Sequence, residues 1–117
     1  MNTQNIIFSL FIIVVILAGC SQQPTPSASP SASSGVIEIE ISNFNYAPSS
    51  INVKVGDTIR WTNKDIAPHT VTSESGSELS SQTLNIGQSY SHTFSNTGTY
   101  PYYCTFHPNM KGQVNVS

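Results

Sequence analysis

The sequence predicts an all-β fold, an antiparallel β-sandwich of about seven or eight short strands over residues 36–117. Three observations carry this. Apolar residues recur at alternate positions in several short runs, the period of a strand with one buried face. Turn residues separate those runs, as in Gly56-Asp57 and Asn96-Thr97-Gly98, where backbone reversals need them. No stretch of residues 36–117 shows apolar residues at helical spacing over a helix length.

Each element follows from its own pattern. Ile37-Glu38-Ile39-Glu40-Ile41 alternates strictly. Ile51, Val53 and Val55 alternate with Asn52 and Lys54, and Ile59 and Trp61 continue after the turn. Tyr90-Ser91-His92-Thr93-Phe94 forms a further run, which places His92 on the parity of Tyr90 and Phe94. Tyr100, Tyr102 and Cys104 share one face of the next, and Val114 and Val116 close the chain. Pro101 interrupts a strand pattern. A residue without an N–H belongs at an edge, an irregular stretch or a strand start.

The first 35 residues are of another kind. All ten Lys, Arg, Asp and Glu lie between Glu38 and Lys111. Ile6 to Ala18 reads IIFSLFIIVVILA, the length of a signal-peptide apolar region and short for a membrane span of about 20 residues. It ends Leu17-Ala18-Gly19-Cys20, which resembles a lipoprotein signal box. That resemblance implies cleavage before Cys20 and a lipid on its sulfur. A conventionally cleaved or uncleaved signal is the alternative, and the first five residues lack Lys and Arg. From Ser21 to Gly35, nine of fifteen residues are Ser or Pro and none is charged. Such a segment buries too little to offset chain entropy and reads as a disordered tether. The expected organisation is therefore a signal at 1–19, a lipidated cysteine with tether at 20–35 and a folded domain at 36–117. The protein is expected to be exported and lipid-anchored, on the periplasmic or extracellular face of a membrane.

Composition removes several function classes. A formal net charge of −2 with 9% charged residues does not supply the clustered Lys and Arg that nucleic-acid binding needs. Two cysteines, Cys20 and Cys104, are too few for a disulfide scaffold.

The chemistry concentrates in Cys104-Thr105-Phe106-His107-Pro108-Asn109-Met110. A thiol, an imidazole and a thioether stand three residues apart at the junction of two strands, where a short loop brings all three to one centre. A second imidazole, His69, follows Pro68 upstream. Two histidines, a cysteine and a methionine form the donor set of a blue-copper site. Structural zinc takes four strong ligands, and a thioether is a poor one. Each residue alone has a plainer reading: Cys104 as a core cysteine, His107 as a loop histidine, Met110 as core filler. His92 is read as a structural histidine and Trp61 as core.

At these residues the chain resembles the cupredoxin family of type I copper proteins, nearest to its amicyanin and plastocyanin branch. Gly98-Thr99-Tyr100-Pro101-Tyr102-Tyr103-Cys104-Thr105-Phe106-His107-Pro108-Asn109-Met110-Lys111-Gly112 carries the likeness, with Val55 to Asn63 and Ala67-Pro68-His69 upstream. The resemblance implies a Greek-key sandwich and one type I copper cycling between Cu(I) and Cu(II), held by His69, Cys104, His107 and Met110. It also implies an electron shuttle rather than an enzyme. Thr70 stands where the family often has an asparagine that ties the ligand loops together. Tyr103, next to Cys104, is a candidate second electron path. Phe106 stands where the relatives usually have proline, and its N–H is expected to reach the Cys104 sulfur. Ile66, Ala67, Pro68, Phe106 and Pro108 are expected to rim His107 for transient docking of redox proteins, the protein itself being a monomer.

Three other classes are weighed against this. A multicopper oxidase or nitrite reductase needs further histidines, and the chain has three in all. A copper carrier or store would favour several exposed Met or His ligands, and Met110 is the one methionine left after signal removal. A non-metal adhesion module would stay colourless with Cu(II).

Overall fold

The computed structural model describes Gly19 and residues 35–117; the expectations for the signal, Cys20 and most of the tether lie outside them. Eight strands form the domain: β1 Val36–Ser42, β2 Asn45–Ala47, β3 Ser50–Val53, β4 Thr58–Asn63, β5 Thr72–Ser73, β6 Ser89–Thr93, β7 Gly98–Tyr103 and β8 Lys111–Val116. They make two four-stranded sheets, ordered β2-β1-β4-β6 and β3-β8-β7-β5. The short β2 and β5 are the strands that alternation does not announce, because two or three residues cannot show a period.

Both sheets are mixed. β1 runs parallel to β4, and β3 parallel to β8, while the other four pairings are antiparallel. Alternation reports which face is buried and says nothing of strand direction, so the sequence pattern alone leaves this refinement of the antiparallel sandwich unstated. Direction follows from connectivity. The chain leaves β1 through a hairpin to β2, crosses to the other sheet as β3, and returns beside β1 as β4.

The inward faces meet in one core. Ile39, Ile41, Ile59 and Trp61 from the first sheet pack with Val53, Tyr102, Val114 and Val116 from the second. Each fully buried large side chain contributes about 1.5–3 kcal/mol relative to exposure. Tyr102 stacks edge-on between Tyr46 and Trp61, at centroid distances of 4.7 and 5.5 Å. Its ring lies over Gly112, its partner on β8, where a Cβ would come within 2.3 Å of the ring. Glycine is therefore required there by close approach.

Pro101 sits inside the sheet order, yet its position is locally an edge. β5 pairs only with Tyr102 and Tyr103. Beyond its end, the Pro101 carbonyl accepts the Glu74 N–H at 3.0 Å, so the absent proline N–H leaves no ladder bond unmade. Among the described residues, no helix is long and apolar enough to cross a membrane.

Candidate metal centre

Two loops at one end of the sandwich build the site. The first spans the turn between β4 and β5. Asn63, fully buried at the end of β4, donates from Nδ2 to the carbonyls of Ala67 and Leu84 at 2.9 and 2.8 Å, while its Oδ1 accepts the Asp65 N–H at 2.8 Å. One amide side chain thus fixes the path of 63–67. His69 then exchanges both backbone bonds with Leu84, at 3.1 and 2.8 Å, and its ring is completely buried.

The second loop follows β7 and is bonded to itself. His107 N–H reaches the Cys104 carbonyl at 3.2 Å, Met110 N–H the His107 carbonyl at 2.8 Å, and Cys104 N–H the Met110 carbonyl at 3.0 Å. The three-residue spacing therefore returns each donor to the same end of the loop. Met110 is buried at 4% exposure and His107 is half-buried.

The loops bring three donors to one centre. The Cys104 Sγ lies 3.7 Å from His69 Nδ1 and 3.6 Å from His107 Nδ1. One donor atom from each of these residues lies within 4.8 Å of the other two. Cys104 is buried and forms no disulfide among the described residues. A thiol and two imidazole nitrogens converging at this distance fit a soft, low-coordinate metal such as copper.

Thr70 ties the two loops. Its Oγ1 accepts the Thr105 N–H at 2.9 Å and contacts the hydroxyls of Thr72 and Thr105 at 3.1 and 3.2 Å. Its own N–H donates to the Cys104 sulfur at 3.4 Å, and its carbonyl accepts the Tyr46 hydroxyl at 2.5 Å. A hydroxyl thus does the joining expected of an asparagine side chain. The hydrogen bond found onto the sulfur is donated by the Thr70 N–H, across the loops; among the described residues none from the Phe106 N–H is found beside it, and the Phe106 ring is half-exposed.

The remaining candidates fall into place outside the donor cluster. His92 pairs through Nε2 with Glu78 at 2.7 Å, on β6. Glu74 pairs with Lys111 at 2.6 Å, so neither acidic residue of the 74–78 loop is a free charge. Tyr103 is half-buried and lines a shallow groove with Glu74, Pro108 and Lys111. Ile66 is 91% exposed and Phe106 50%, an apolar surface beside the histidines.

Two residues escaped the sequence reading. Phe44, at the tip between β1 and β2, sets its ring edge-on to His69 and to His107, at 5.5 and 4.9 Å between centroids. Asp65 accepts from His69 Nε2 at 2.8 Å. Burial pushes the Asp65 carboxyl up, but hydrogen bonds from the Phe44 N–H, His69 and the Asn43 N–H outweigh it and hold it below the usual carboxylate range. The pattern of Asp four residues before a histidine, both in one turn, was the available signal.

Comparison with known proteins adds the lineage. The cupredoxin-like domain model matches residues 9–116. Amicyanin of Paracoccus denitrificans is 38% identical over 96 residues, covering 79% of this chain and 73% of that protein. Plastocyanin of Prochlorothrix hollandica is 33% identical over 118 residues, covering 89% and 87%. Among solved structures, the reduced Cu(I) form of an amicyanin variant superimposes with a TM-score of 0.66 at 38% identity, over 71% of this chain and 83% of that one. The sequence match runs through all eight strands and the shared architecture agrees with it: this chain is a member of the cupredoxin family.

Proposed function

We propose that this cupredoxin is a one-electron carrier whose single type I copper is held by His69, Cys104, His107 and Met110. The observation that carries the reading is the convergence of the Cys104 sulfur with two imidazole Nδ1 atoms at 3.6 and 3.7 Å, in a family whose relatives include a Cu(I) amicyanin form. Copper bound there supplies a centre that accepts and returns one electron.

The chain's own residues set the conditions for that exchange. Cys104 and His69 are buried and held by backbone bonds and the Thr70 tie, so the donor positions are fixed before metal arrives. A preformed site changes little between oxidation states. His107 is the donor nearest solvent, next in sequence to the exposed Phe106 and edge-on to Phe44, which lines one hollow with the exposed Ile66. This is where a partner meets the site. A small apolar surface of this kind suits a short-lived encounter, which buries under about 1,200 Å² in total. Met110, from the same loop, offers a thioether that tunes the potential. Tyr103 remains a candidate second path through Cys104.

The wider setting is part of the proposal. Leu17-Ala18-Gly19-Cys20 and the Ser/Pro tether support export, cleavage before Cys20 and lipid anchoring at the outer face of a membrane, with redox proteins as partners. A carrier or store of copper is the second reading. Burial of Cys104, His69 and Met110 weighs against it, since transfer of the metal needs accessible donors.

Variants of the donors test the assignment. Cys104→Ala should abolish the blue absorption, Met110→Leu should keep it with an altered potential, and His92→Ala should leave both unchanged. A large spectral loss in His92→Ala would mean that the wrong histidine has been assigned.

A further inference from the structure

The hairpin between β1 and β2 is built against local preference. Ser42 pairs with Asn45, so Asn43 and Phe44 form a two-residue turn, and both have positive φ, 51° and 57°. Turns of this kind favour Asn-Gly. Asparagine fits the first position. A bulky phenylalanine at the second is unfavourable, and such a residue persists only where its surroundings over-determine it.

The surroundings are a single carboxylate. Asp65 Oδ1 accepts the Asn43 N–H at 2.8 Å, and Oδ2 accepts the Phe44 N–H at 3.0 Å. The same Oδ2 lies 2.8 Å from His69 Nε2. The Asp65 side chain is 15% exposed, and that of His69 is fully buried. The turn is thereby locked with the Phe44 ring edge-on to both His69 and His107.

We propose that Asp65 is a positioning residue for electron transfer, which fixes the His69 tautomer and clamps the Asn43–Phe44 tip as an apolar cover over both histidines. This rests on the assignment of copper to His69, Cys104 and His107. An ionised carboxylate only accepts hydrogen bonds. Asp65 therefore keeps the His69 proton on Nε2 and leaves Nδ1 free toward the Cys104 sulfur. A negative charge beside the ligand also favours the more positive oxidation state and lowers the potential. The Phe44 ring works in the other direction. By keeping water from the histidines it disfavours the more charged state and raises the potential. One residue thus sets two opposed influences, one by its charge and one through the ring it holds.

The test compares Asp65→Asn with Phe44→Ala in the full chain. The native protein and both variants should be blue with copper. Asp65→Asn removes the charge at nearly constant shape, and outer partners of metal ligands are typically worth 10–100-fold in affinity. Introduced into the Phe44→Ala protein, where the cover is already gone, Asp65→Asn should raise the midpoint potential by the equivalent of about a tenfold change in the Cu(I)/Cu(II) ratio, about 59 mV for one electron. Phe44→Ala should lower the potential. In the metal-free protein, the Asn43 and Phe44 amides should be protected from hydrogen exchange, and Asp65→Asn should speed that exchange at least several-fold. A blue Phe44→Ala/Asp65→Asn protein whose potential is no higher than that of Phe44→Ala would overturn the proposal while leaving the copper assignment standing. So would a Phe44→Ala protein whose potential stays or rises, or tip amides that exchange alike with and without the carboxylate. A native protein that is colourless with copper would overturn the assignment and this proposal together.

Discussion

Thr70 shows what one side chain contributes at the residue scale. It is buried at 6% exposure and its hydroxyl is the acceptor for the Thr105 N–H, the first amide after the ligand cysteine. Thr70→Val keeps the shape and removes the acceptor, leaving a partly buried amide unpaired at a cost of about 1–3 kcal/mol. The urea midpoint of the metal-free protein should fall accordingly, and Thr70→Ser should recover most of it. Equal stability of the valine variant and the native protein would show that the tie is idle. At this scale the donors were legible and their supports were not. Cys104, His107 and Met110 stand within seven residues, so their meeting is a local matter, and His69 follows a proline in a recognisable run. Asp65 and Phe44 lie 21 residues apart, and their contact exists only because the β1–β2 turn folds over the 63–69 loop. The surroundings of the sulfur were legible only in part: proximity in sequence points to the Phe106 N–H, whereas the hydrogen bond found there comes from Thr70, 34 residues before Cys104.

At the element scale, alternation located the six longer strands and the faces they bury. It could not give direction, and so could not show that β1 pairs in parallel with β4. The element that joins the sheets near the site is an aromatic stack. Tyr46 on β2 lies between the Thr70 carbonyl and the ring of Tyr102 on β7. Burial pushes the Tyr102 hydroxyl up to about 12, and the nearby Trp61 N–H draws it back slightly without making a well-formed hydrogen bond. Burial also raises Tyr46, aided by the charges of Cys104 and Tyr102. Both groups are neutral in the fold, whereas an unfolded tyrosine ionises near about 10. The stability they contribute is thus complete below that pH and is lost as pH rises through the folded values. For Tyr102 the difference of two pH units corresponds to about 3 kcal/mol. Circular dichroism should show alkaline unfolding that begins near pH 10. Tyr102→Phe, which removes a hydroxyl lacking a partner, should flatten that pH dependence. Identical alkaline curves for the two proteins would rule the account out.

For the whole molecule, one end of a small sandwich carries a buried donor cluster under an apolar surface, and the sequence places a 35-residue segment without Lys, Arg, Asp or Glu ahead of it. The proposed anchor has a direct consequence. Cys20→Ser should release the protein into a soluble fraction or stop its maturation. Mass spectrometry of the mature N-terminus should find native Cys20 carrying lipid, with two or more acyl chains, since one binds a membrane only marginally. An unmodified Cys20, or a terminus elsewhere, would remove the anchor and leave the copper assignment untouched.

The central claim is that a thiolate and two imidazoles at this end of the fold make a blue copper centre. The most direct measurement is the visible spectrum of the full chain titrated with Cu(II), repeated with Cys104→Ala. The account predicts an intense blue band that saturates at one copper per chain, bleaches with a mild reductant, returns on reoxidation and is absent from Cys104→Ala. A native protein that stays colourless at saturating Cu(II), or a blue band that survives the loss of Cys104, would contradict it.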